Sequence, residues 1–449
     1  MMKLINFIHT FNHAAEQADL IYCYLKGYHD LTDQQSMPDH LVIITLPDNV
    51  PKIETLLAET VEGVAILSRH ERYDRITFGL YGIETGDNCC TLKLTVRRRL
   101  AFRGIDYSYV ENVLRRTHPL EINSFSIPRP NPIDEMVVTF FDHFLNKGTI
   151  PTEIWNYWQS VTKGIKGSTT ERFKRIFGNR AGPRILQLIE EGHKGTLYNG
   201  INRWRRAFIS MAWQREGVNI IIDTISCLLH RLFRPRPRRF VAAFYGIDGS
   251  GKTTAIFSLK QRLRNGAEEV RIRHLKPRLG KERDPDKRTV QTEPHKDPPR
   301  HIFTASIKLI YYFLVYWLAY FKPMRRSRII LYDRYMPDML IDQKRFRLPD
   351  KVRPLVQWLV RFIPRPDISL WLDLSPEIAY RRKPELPIEE ARRQRNAYKD
   401  LPGQTGHKTV RIDAAHPPET VLEKCETVLL KVMTHAAKPA GDKQNAANL

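Results

Sequence analysis

The stretch FVAAFYGIDGSGKTT, residues Phe240–Thr254, contains the pattern from which the fold can be predicted. Its apolar start, Phe240–Tyr245, is typical of a buried strand, and the residues from Lys252 onward favour a helix. Between them, Gly246-Ile-Asp-Gly-Ser-Gly-Lys-Thr253 is a complete G-x-x-x-x-G-K-[ST] match. A strand, a glycine-rich turn and a helix in this order predict a loop whose backbone amides point inward to hold phosphate groups.

Each position of this loop has a chemical reason. Glycines let the backbone wrap closely around a triphosphate, and the following helix adds the positive end of its dipole. Lys252 supplies a point charge for the β- and γ-phosphates of ATP, and the Thr253 hydroxyl suits Mg²⁺. We therefore expect ATP and Mg²⁺ as cofactors, and the alternative is a glycine-rich turn without a ligand. The predicted cofactor-binding residues are Gly246, Asp248, Gly249, Ser250, Gly251, Lys252, Thr253 and Thr254.

The composition limits the classes of protein to which the chain can belong. At 449 residues it exceeds what one hydrophobic core usually covers, so we expect two domains and a linker. Its 72 basic residues outnumber its 49 acidic residues, and the net charge of +23 suits phosphorylated substrates, anionic membranes or nucleic acid. Because no signature of an RNA- or DNA-binding module accompanies this charge, we expect no nucleic-acid partner.

Cysteine usage and hydropathy predict where the protein works. The five cysteines form no C-x-x-C pair and cannot all pair with one another, which is typical of a reducing compartment. The first residues lack the apolar core and cleavage site of a signal peptide. The longest apolar run, Leu309–Phe321, has thirteen residues and is interpreted as a core helix, because it is too short to span a bilayer. We therefore expect a cytoplasmic protein.

Residues 1–130 are predicted to form a small α+β domain with strands at His40–Thr45, Arg75–Tyr81 and Thr91–Val96. In Tyr24-Leu-Lys-Gly-Tyr28, and in Pro38-Asp39 before the first of these strands, the domain resembles the nucleotidyltransferase-like domain of some bacterial polysaccharide-synthesis proteins. In those proteins the domain lies upstream of a kinase-like domain. The resemblance implies a related fold for residues 1–130.

The resemblance ends where the chemistry of that family would be expected. Working nucleotidyltransferases hold two metal ions with two carboxylates placed one residue apart on a strand. Here those positions are Asp39-His40-Leu41, and Lys93 and Thr95 stand where a third carboxylate is expected. We interpret Asp39 as a turn residue and the domain as a non-catalytic relative for substrate recognition or docking. Nucleotidyl transfer in this domain is the weakest of the functional hypotheses.

Residues 131–217 are predicted to be an all-α segment, because apolar residues recur there at helical spacing. Asp142 and His143 are adjacent and would point in different directions on a helix, so they are interpreted as structural and not as metal ligands. An amphipathic helix at Val218–Phe233 and the stretch Arg234-Pro-Arg-Pro-Arg-Arg239 predict a linker at residues 218–238. The alternative is a basic anchor that contacts the anionic inner face of a membrane peripherally.

Residues 239–433 alternate between predicted strands and helices, which is the pattern of a parallel sheet with helices on both faces. Sheets of this kind bind ligands at the carboxyl ends of their strands. The glycine-rich loop, Asp333-Arg334, Asp373 and Asp413 each follow a predicted strand, so we expect them at one edge of the sheet. Residues 276–300 are predicted to be a long basic loop and residues 434–449 a disordered tail.

Three motifs in this half resemble the thymidylate kinase family in order and spacing. They are Gly246–Thr254, Leu331-Tyr-Asp-Arg-Tyr335, and Pro366–Glu377 followed by Ala379-Tyr-Arg-Arg-Lys383. The resemblance covers about residues 238–433. It implies the P-loop NTPase fold and an ATP- and Mg²⁺-dependent phosphotransferase of the type found in bacterial polysaccharide-synthesis clusters.

The resemblance also implies roles for particular residues. Lys252 and the loop amides would hold the ATP phosphates, Asp248 would face the acceptor, and Thr253 and Asp333 would hold the metal. Arg334 would clamp the phosphate of the acceptor. A basic lid over the transferred phosphoryl group, for which the alternative is a solvated helix face, would comprise Arg381, Arg382, Lys383, Arg392, Arg393 and Arg395. The implied catalytic residues are Lys252, Asp333, Arg334, Arg381 and Arg382.

The acceptor is less well specified. Thymidylate kinases carry a base-reading arginine on the helix before the Asp-Arg motif, whereas Ile307–Tyr320 has Lys308 as its only cation. We therefore expect a small phosphorylated acceptor, either a nucleoside monophosphate or a sugar-linked molecule. The competing hypothesis is an ATP-binding switch or scaffold that recruits a partner or an anionic membrane without phosphorylating an acceptor. The intact Lys252, Asp333 and Arg334 favour the enzyme.

Overall fold

The computed structural model describes residues 2–26, 38, 40–60, 63–84, 89–122, 125–233, 239–267, 269–274, 300–321, 328–384 and 386–437. The chain forms two compact units. The first comprises residues 1–65, 69–86 and 92–235, and the second comprises residues 66–68, 87–91 and 236–449. Asp39, the stretch 234–238, the predicted loop up to residue 299 and the last twelve residues lie outside the described residues.

The first unit is built on a mixed five-stranded sheet of order β2-β3-β7-β5-β4. In this sheet β2 is antiparallel to β3, β3 is parallel to β7, and His40 of β3 is in register with Lys93 of β7. The strands up to residue 130 are β1 Met2–Lys3, β2 Tyr22–Lys26, β3 His40–Thr45, β4 Ala65–Glu71, β5 Arg75–Tyr81, β6 Ile83–Glu84, β7 Thr91–Arg97, β8 Leu100–Phe102, β9 Ile105–Ser108, β10 His118–Ile122 and β11 Phe125–Arg129.

Helices surround an aromatic core in the rest of this unit. Phe140, Phe141 and Phe144 are fully buried, and the ring of Tyr107 stacks on Phe141 with centroids 3.9 Å apart. The helices are Leu4–Gln17, Val50–Thr55, Leu56–Thr60, Val110–Leu114, Pro132–Thr139, Phe140–Asn146, Thr152–Gly164, Lys166–Glu190, Lys194–Asn199, Ile201–Glu216 and Asn219–Phe233, of which Leu56–Thr60 and Phe140–Asn146 are π-helical.

The second unit contains a fully parallel sheet of order β13-β14-β12-β15-β16. Its strands are β12 Arg239–Tyr245, β13 Glu269–His274, β14 Arg328–Asp333, β15 Ile368–Asp373 and β16 Thr409–Asp413. The strand that leads into the glycine-rich loop, β12, lies at the centre between β14 and β15. A ligand at its carboxyl end is therefore flanked by Asp333 and Asp373, the last residues of the two neighbouring strands.

The strands of this sheet are apolar along most of their length because helices cover it. All six residues of β15 are buried, as expected for a parallel strand without a solvent face. The helices are Lys252–Arg262, Ile302–Phe321, Arg353–Phe362, Pro376–Arg382, Ile388–Thr405 and Pro418–Ala437, with shorter 3₁₀ turns at Met336–Leu340, Lys344–Phe346 and Asp350–Val352. The predicted α/β class, a parallel sheet flanked by helices, is confirmed.

Some boundaries differ from the sequence-based expectation. The pattern of Pro387–Lys399 predicts a helix that ends at Lys399, whereas the observed helix continues to Thr405 with Pro402 inside it. The last helix reaches Ala437, four residues into the predicted tail. All five cysteines are free thiols. Among the described helices, none has the length and apolarity needed to cross a bilayer. The predicted domain limits at residues 130, 217 and 238 stay predictions.

Candidate functional site

The loop after β12 adopts the conformations that its glycines allow. Gly246, Gly249 and Gly251 have φ of 146°, 86° and 83°, which L side chains rarely adopt. A Cβ at Gly246 would lie 2.6 Å from the Leu372 carbonyl oxygen, whereas one at Gly251 would meet nothing within 4 Å. The loop therefore packs tightly on the sheet at its start and has open space beside Gly251, just before the helix that starts at Lys252.

Lys252 is buried at the first position of that helix. Its Nζ donates to the carbonyl oxygens of Gly246 at 2.8 Å and Ile247 at 2.7 Å, and to Ser250 Oγ at 3.3 Å. Burial and the positive charge of Arg334 lower the pKa of Lys252 to about 8. The ammonium thus lies within the loop that would cradle a polyphosphate, held by neutral oxygens that phosphate oxygens can replace.

The carboxylate of Asp333 reaches the loop from the neighbouring strand. Its Oδ2 accepts from Thr253 Oγ1 at 3.4 Å and lies 3.4 Å from His274 Nδ1 of β13. Burial alone would raise the pKa of Asp333, but the hydrogen bond with His274 and the charges of Lys252 and Arg334 lower it to about 2. Asp333 is therefore an anion at neutral pH, positioned against a hydroxyl at the phosphate loop.

Thr253 and Asp333 fit a magnesium ion that is bound partly by the protein and partly by the phosphates of a ligand. Mg²⁺ in such sites commonly takes one or two protein oxygens, substrate phosphates and several waters. Within the described residues, no group of three or more His, Cys, Asp and Glu side chains could hold a metal without such help. The two protein oxygens, from Thr253 and Asp333, therefore match a Mg²⁺ site that substrate phosphates and waters complete.

Arg334 is the centre of a buried ion-pair network. Its Nη2 donates to Asp248 Oδ1 at 2.5 Å, and its Nη1 donates to Asp338 Oδ2 at 2.7 Å and to the Tyr398 hydroxyl at 3.1 Å. The Tyr398 hydroxyl in turn donates to Asp338. Arg345 holds the second oxygen of Asp248 at 2.7 Å. Although burial opposes ionisation, these cations and Lys252 hold the pKa of Asp248 far below its usual range.

The lid residues implied by the sequence are placed in two groups. Arg381 and Arg382 are exposed at the end of Pro376–Arg382, and Arg382 Nη1 donates to the Ala414 carbonyl oxygen at 3.3 Å. The same helix borders the loop, because a Cβ at Gly249 would lie 2.9 Å from the Ala379 carbonyl oxygen. The structure thus puts these two arginines on a helix beside the loop, without recording a contact between them and Lys252.

The other lid arginines are held by carboxylates. Arg395 donates to both oxygens of Asp373, at 2.6 and 2.9 Å, and Arg411 donates to the same carboxylate. Arg392 pairs with Glu377 at 2.9 Å and Arg393 with Glu390 at 2.6 Å. In this structure Arg395 and Arg411 therefore neutralise Asp373.

The aromatic helix Ile302–Phe321 packs beside the segment that carries Asp333 and Arg334. Tyr316 is buried, with its ring centroid 5.9 Å from that of Tyr332 and 4.8 Å from that of Tyr335. Lys308, the only cation of that helix stretch, lies 5.6 Å from the Tyr312 ring centroid. The run is helical, as predicted, but it is buried on one face only, because Ile310, Leu314 and Leu318 are exposed.

Three residues of the site were missed or underweighted by sequence reasoning. Asp338 and Tyr398 complete the Arg334 network, and Arg345 holds the second oxygen of Asp248. Asp338 is fully buried, and a lone acid in the apolar stretch Tyr335–Ile341 was the signal that could have identified it. Tyr398 lies 64 residues from Arg334 and carries no local signal.

The fold and the site define the class of this unit. A parallel sheet with the glycine-rich loop after its central strand, a buried lysine directly after that loop and an acid at the end of the adjacent strand constitute a P-loop fold.

Comparison with known proteins adds little to this assignment. No protein-family model and no curated protein matches the chain. Two solved structures of deoxyadenosine kinase from M. mycoides, one with dCMP and a flexible dCDP and one with dATP, are similar at 16% identity and a TM-score of 0.30. The alignments cover 43% and 42% of this chain and 100% and 99% of the other chains. At that similarity the class rests on the geometry of the unit itself.

Proposed function

We propose that the protein is an ATP- and Mg²⁺-dependent phosphotransferase. It moves the γ-phosphate of ATP to a small phosphorylated acceptor, either a nucleoside monophosphate or a sugar-linked molecule. The observation that carries the proposal is the position of the Asp333-Arg334 pair at the phosphate loop. Asp333 contacts Thr253 and Arg334 contacts Asp248, so residues from two different strands meet at one carboxyl edge.

The chain's own groups suit positioning and charge neutralisation, which are most of the work in phosphoryl transfer. The amides beside Gly251 and the ammonium of Lys252 would bind the β- and γ-phosphates once Lys252 exchanges loop carbonyls for phosphate oxygens. Thr253 and Asp333 would hold Mg²⁺, which supplies neutralisation of the charge between those phosphates. Arg381 and Arg382, on the helix that borders the loop, are the candidates for the lid.

Arg334 and Arg345 provide the acceptor side in this proposal. Both guanidinium groups donate to Asp248. A phosphate of the acceptor would compete with this carboxylate for the hydrogen bonds of the two arginines. Asp248 would then orient both arginines instead of contacting ATP. The finer assignments, a thymidylate kinase-like enzyme and a role in polysaccharide biosynthesis, rest on the three motifs quoted above.

A radiolabelled ATP assay against nucleoside monophosphates and sugar phosphates tests this function. We expect transfer to at least one acceptor, dependent on Mg²⁺, and loss of turnover of about a thousandfold or more in Lys252→Ala with an unchanged circular-dichroism spectrum. Retained turnover in that variant would count against the proposed enzyme. ATP binding without transfer to any of these acceptors would favour the ATP-binding switch.

Recruitment to an anionic membrane is a second candidate function, favoured by the helix Asn219–Phe233. Its apolar residues are largely solvent-exposed, including Ile222, Leu228, Leu232 and Phe233, which is 80% exposed. The sequence that follows is Arg234-Pro-Arg-Pro-Arg-Arg239. An exposed apolar face next to a run of arginines is the combination that binds the surface of an anionic bilayer.

A further inference from the structure

The first unit contains a cavity of about 400 Å³ that the proposed phosphotransferase does not use. It opens between β3, β7, the turn before β5 and the π-helix Phe140–Asn146. Its volume falls within the range of sites that bind small molecules, roughly 300–1,000 Å³. Inorganic phosphate alone would fill only a fraction of this space.

Cations dominate the described lining of this cavity. Its two carboxylates are each held by an arginine, since Asp142 pairs with Arg97 at 2.5 Å and Asp74 pairs with Arg75 at 2.8 Å. The lining therefore has four positive charges in excess. Its six cations are Lys26, Arg72, Arg75, Arg97, Arg103 and Lys147.

Arg97 combines burial with an unused donor. The residue is 6% exposed, and its Nε has no hydrogen-bond partner although Nη2 binds Asp142. Arg75 Nε at the same cavity is also buried without a partner. Buried donors are almost always satisfied in native proteins, so these two guanidinium nitrogens leave donor capacity at one cavity that an acceptor can fill.

The positive charges around the cavity contribute to lowered pKa values of two histidines, His40 and His143. Burial together with Lys93, Lys26, Arg97 and Arg75 lowers the pKa of His40 to about 3, and its Nε2 shares a hydrogen bond with Thr95 Oγ1 at 2.9 Å. Burial and Lys147 lead the causes that lower the pKa of His143 to about 4. Both imidazoles are therefore neutral at physiological pH, and they add no charge to the cavity.

The same residues are poor ligands for a metal. The two carboxylates of the lining are already bound to arginine, and Lys93 is in register with His40. No metal-holding group of acids, histidines and cysteines occurs in the described part of the chain. A cation would meet repulsion here, whereas a phosphate dianion would find forked guanidinium donors that fit its oxygens.

We propose that this cavity binds a small organic phosphate without a metal ion. Arg97 and Arg75 bind the phosphate oxygens at its floor, Lys26 and Lys147 neutralise the charge at its mouth, and the remaining volume accommodates the organic part. The first unit is then a sensor or recognition module for a phosphorylated metabolite, and its ligand site is independent of the P-loop.

Calorimetric titration of the full chain tests this proposal. The protein carries Lys252→Ala, so that the phosphate loop of the second unit is impaired, and the buffer contains EDTA. The probes are inorganic phosphate, glucose 1-phosphate and uridine monophosphate, which carry about the same charge. We expect one organic phosphate to bind with 1:1 stoichiometry, at least about tenfold more tightly than inorganic phosphate.

A matched pair of charge variants locates the site. Lys26→Gln/Lys147→Gln removes two exposed cations of the cavity and should weaken binding at least about tenfold. Lys163→Gln/Arg180→Gln removes two exposed cations of the same unit that do not line the cavity and should change binding by less than about twofold. Neither variant touches a buried side chain, so folding is preserved.

Four results would overturn the proposal. They are the absence of binding for every probe in EDTA, binding that appears only after Mg²⁺ is added, equal affinity for inorganic and organic phosphate, and equal loss in the two charge variants. Because the phosphate loop is impaired throughout, each result is independent of whether the second unit transfers phosphate.

Discussion

The Arg334 guanidinium donates to Asp248 Oδ1 at 2.5 Å although the two residues are 86 positions apart. Arg334 adopts φ of 66°, a left-handed conformation that costs a non-glycine residue about 1–2 kcal/mol. Its backbone amide donates to the Phe244 carbonyl oxygen of the central strand at 3.1 Å. The buried ion pairs of its side chain link the segment after β14 to Asp248 of the glycine-rich loop.

Arg334→Met should destabilise the protein by about 3–5 kcal/mol, because it leaves the fully buried Asp338 without its cation. Arg345→Gln should cost less than about 1 kcal/mol, since Arg345 is partly exposed and Arg334 remains beside Asp248. Urea unfolding of both variants measures the difference. Equal losses would mean that burial of Asp338 does not control the stability of this network.

Gly246→Ala should impair folding more than Gly251→Ala. Both positions have positive φ, so each substitution introduces backbone strain of about 1–2 kcal/mol. Only the Cβ at position 246 also clashes, at 2.6 Å from a backbone oxygen, whereas position 251 has open space. The melting temperature of Gly246→Ala should therefore be lower than that of Gly251→Ala, and the reverse order would contradict the observed packing of the loop.

ATP binding should take up protons above about pH 8. Lys252 has a pKa of about 8 in the free protein, and a bound polyphosphate would raise this value. Below pH 8 the lysine is protonated before and after binding, so no uptake is expected there. Above pH 8 the free lysine loses its proton and regains it on binding, so affinity falls as pH rises. Calorimetry in buffers of different ionisation enthalpy measures the uptake, which Lys252→Arg should abolish.

Asp333→Asn should raise the Mg²⁺ concentration needed for half-maximal activity by about tenfold or more while ATP binding in EDTA changes little. The substitution removes one of the two protein oxygens proposed for the ion, and it keeps the shape of the side chain. Activity measured against Mg²⁺ concentration and binding measured in EDTA separate the two effects. An equal loss in both measurements would assign Asp333 to the nucleotide and not to the metal.

Leu228→Ser/Leu232→Ser should weaken binding to vesicles of anionic lipid at least about tenfold, because both side chains are more than half exposed on the proposed membrane-facing helix. Neutral vesicles serve as the control, and added salt should weaken binding of the unmodified protein. Unchanged vesicle binding would rule out this face as the anchor. If the unmodified protein is a dimer in solution and this variant is a monomer, a second copy of the chain covers this face.

The second unit was the more predictable half. The strand Phe240–Tyr245 and the loop that follows are specified by local pattern. The apolar pattern also predicts a strand at Ile368–Leu374, within one residue of the observed β15, because four of the six side chains of β15 are apolar. The helices Ile388–Thr405 and Pro418–Ala437 extend beyond their predicted ends, because helix ends depend on packing as well as on propensity. In the first unit the strands His40–Thr45 and Arg75–Tyr81 were predicted within their observed limits.

Particular residues show why the rest of the site was not predictable. Arg395 belongs to a run of basic residues that resembles a lid, yet it lies against Asp373, a partner 22 residues away. Asp142 and His143 are interpreted from the sequence as structural residues, but their place at a cation-lined cavity depends on β3 and β7 meeting the π-helix. Spacing along one element does not report which side chains of distant elements share a cavity.

The sequence alone determined the glycine-rich loop and the alternating α/β architecture around it, because glycine placement and hydrophobic periodicity act over a few residues. Only the tertiary structure decided that Asp338, Tyr398 and Arg345 complete the Arg334 network and that six cations line one cavity of the first unit. Apart from the pair Arg334 and Asp338, these arrangements join residues tens of positions apart, and they arise when helices and turns that follow different strands pack together.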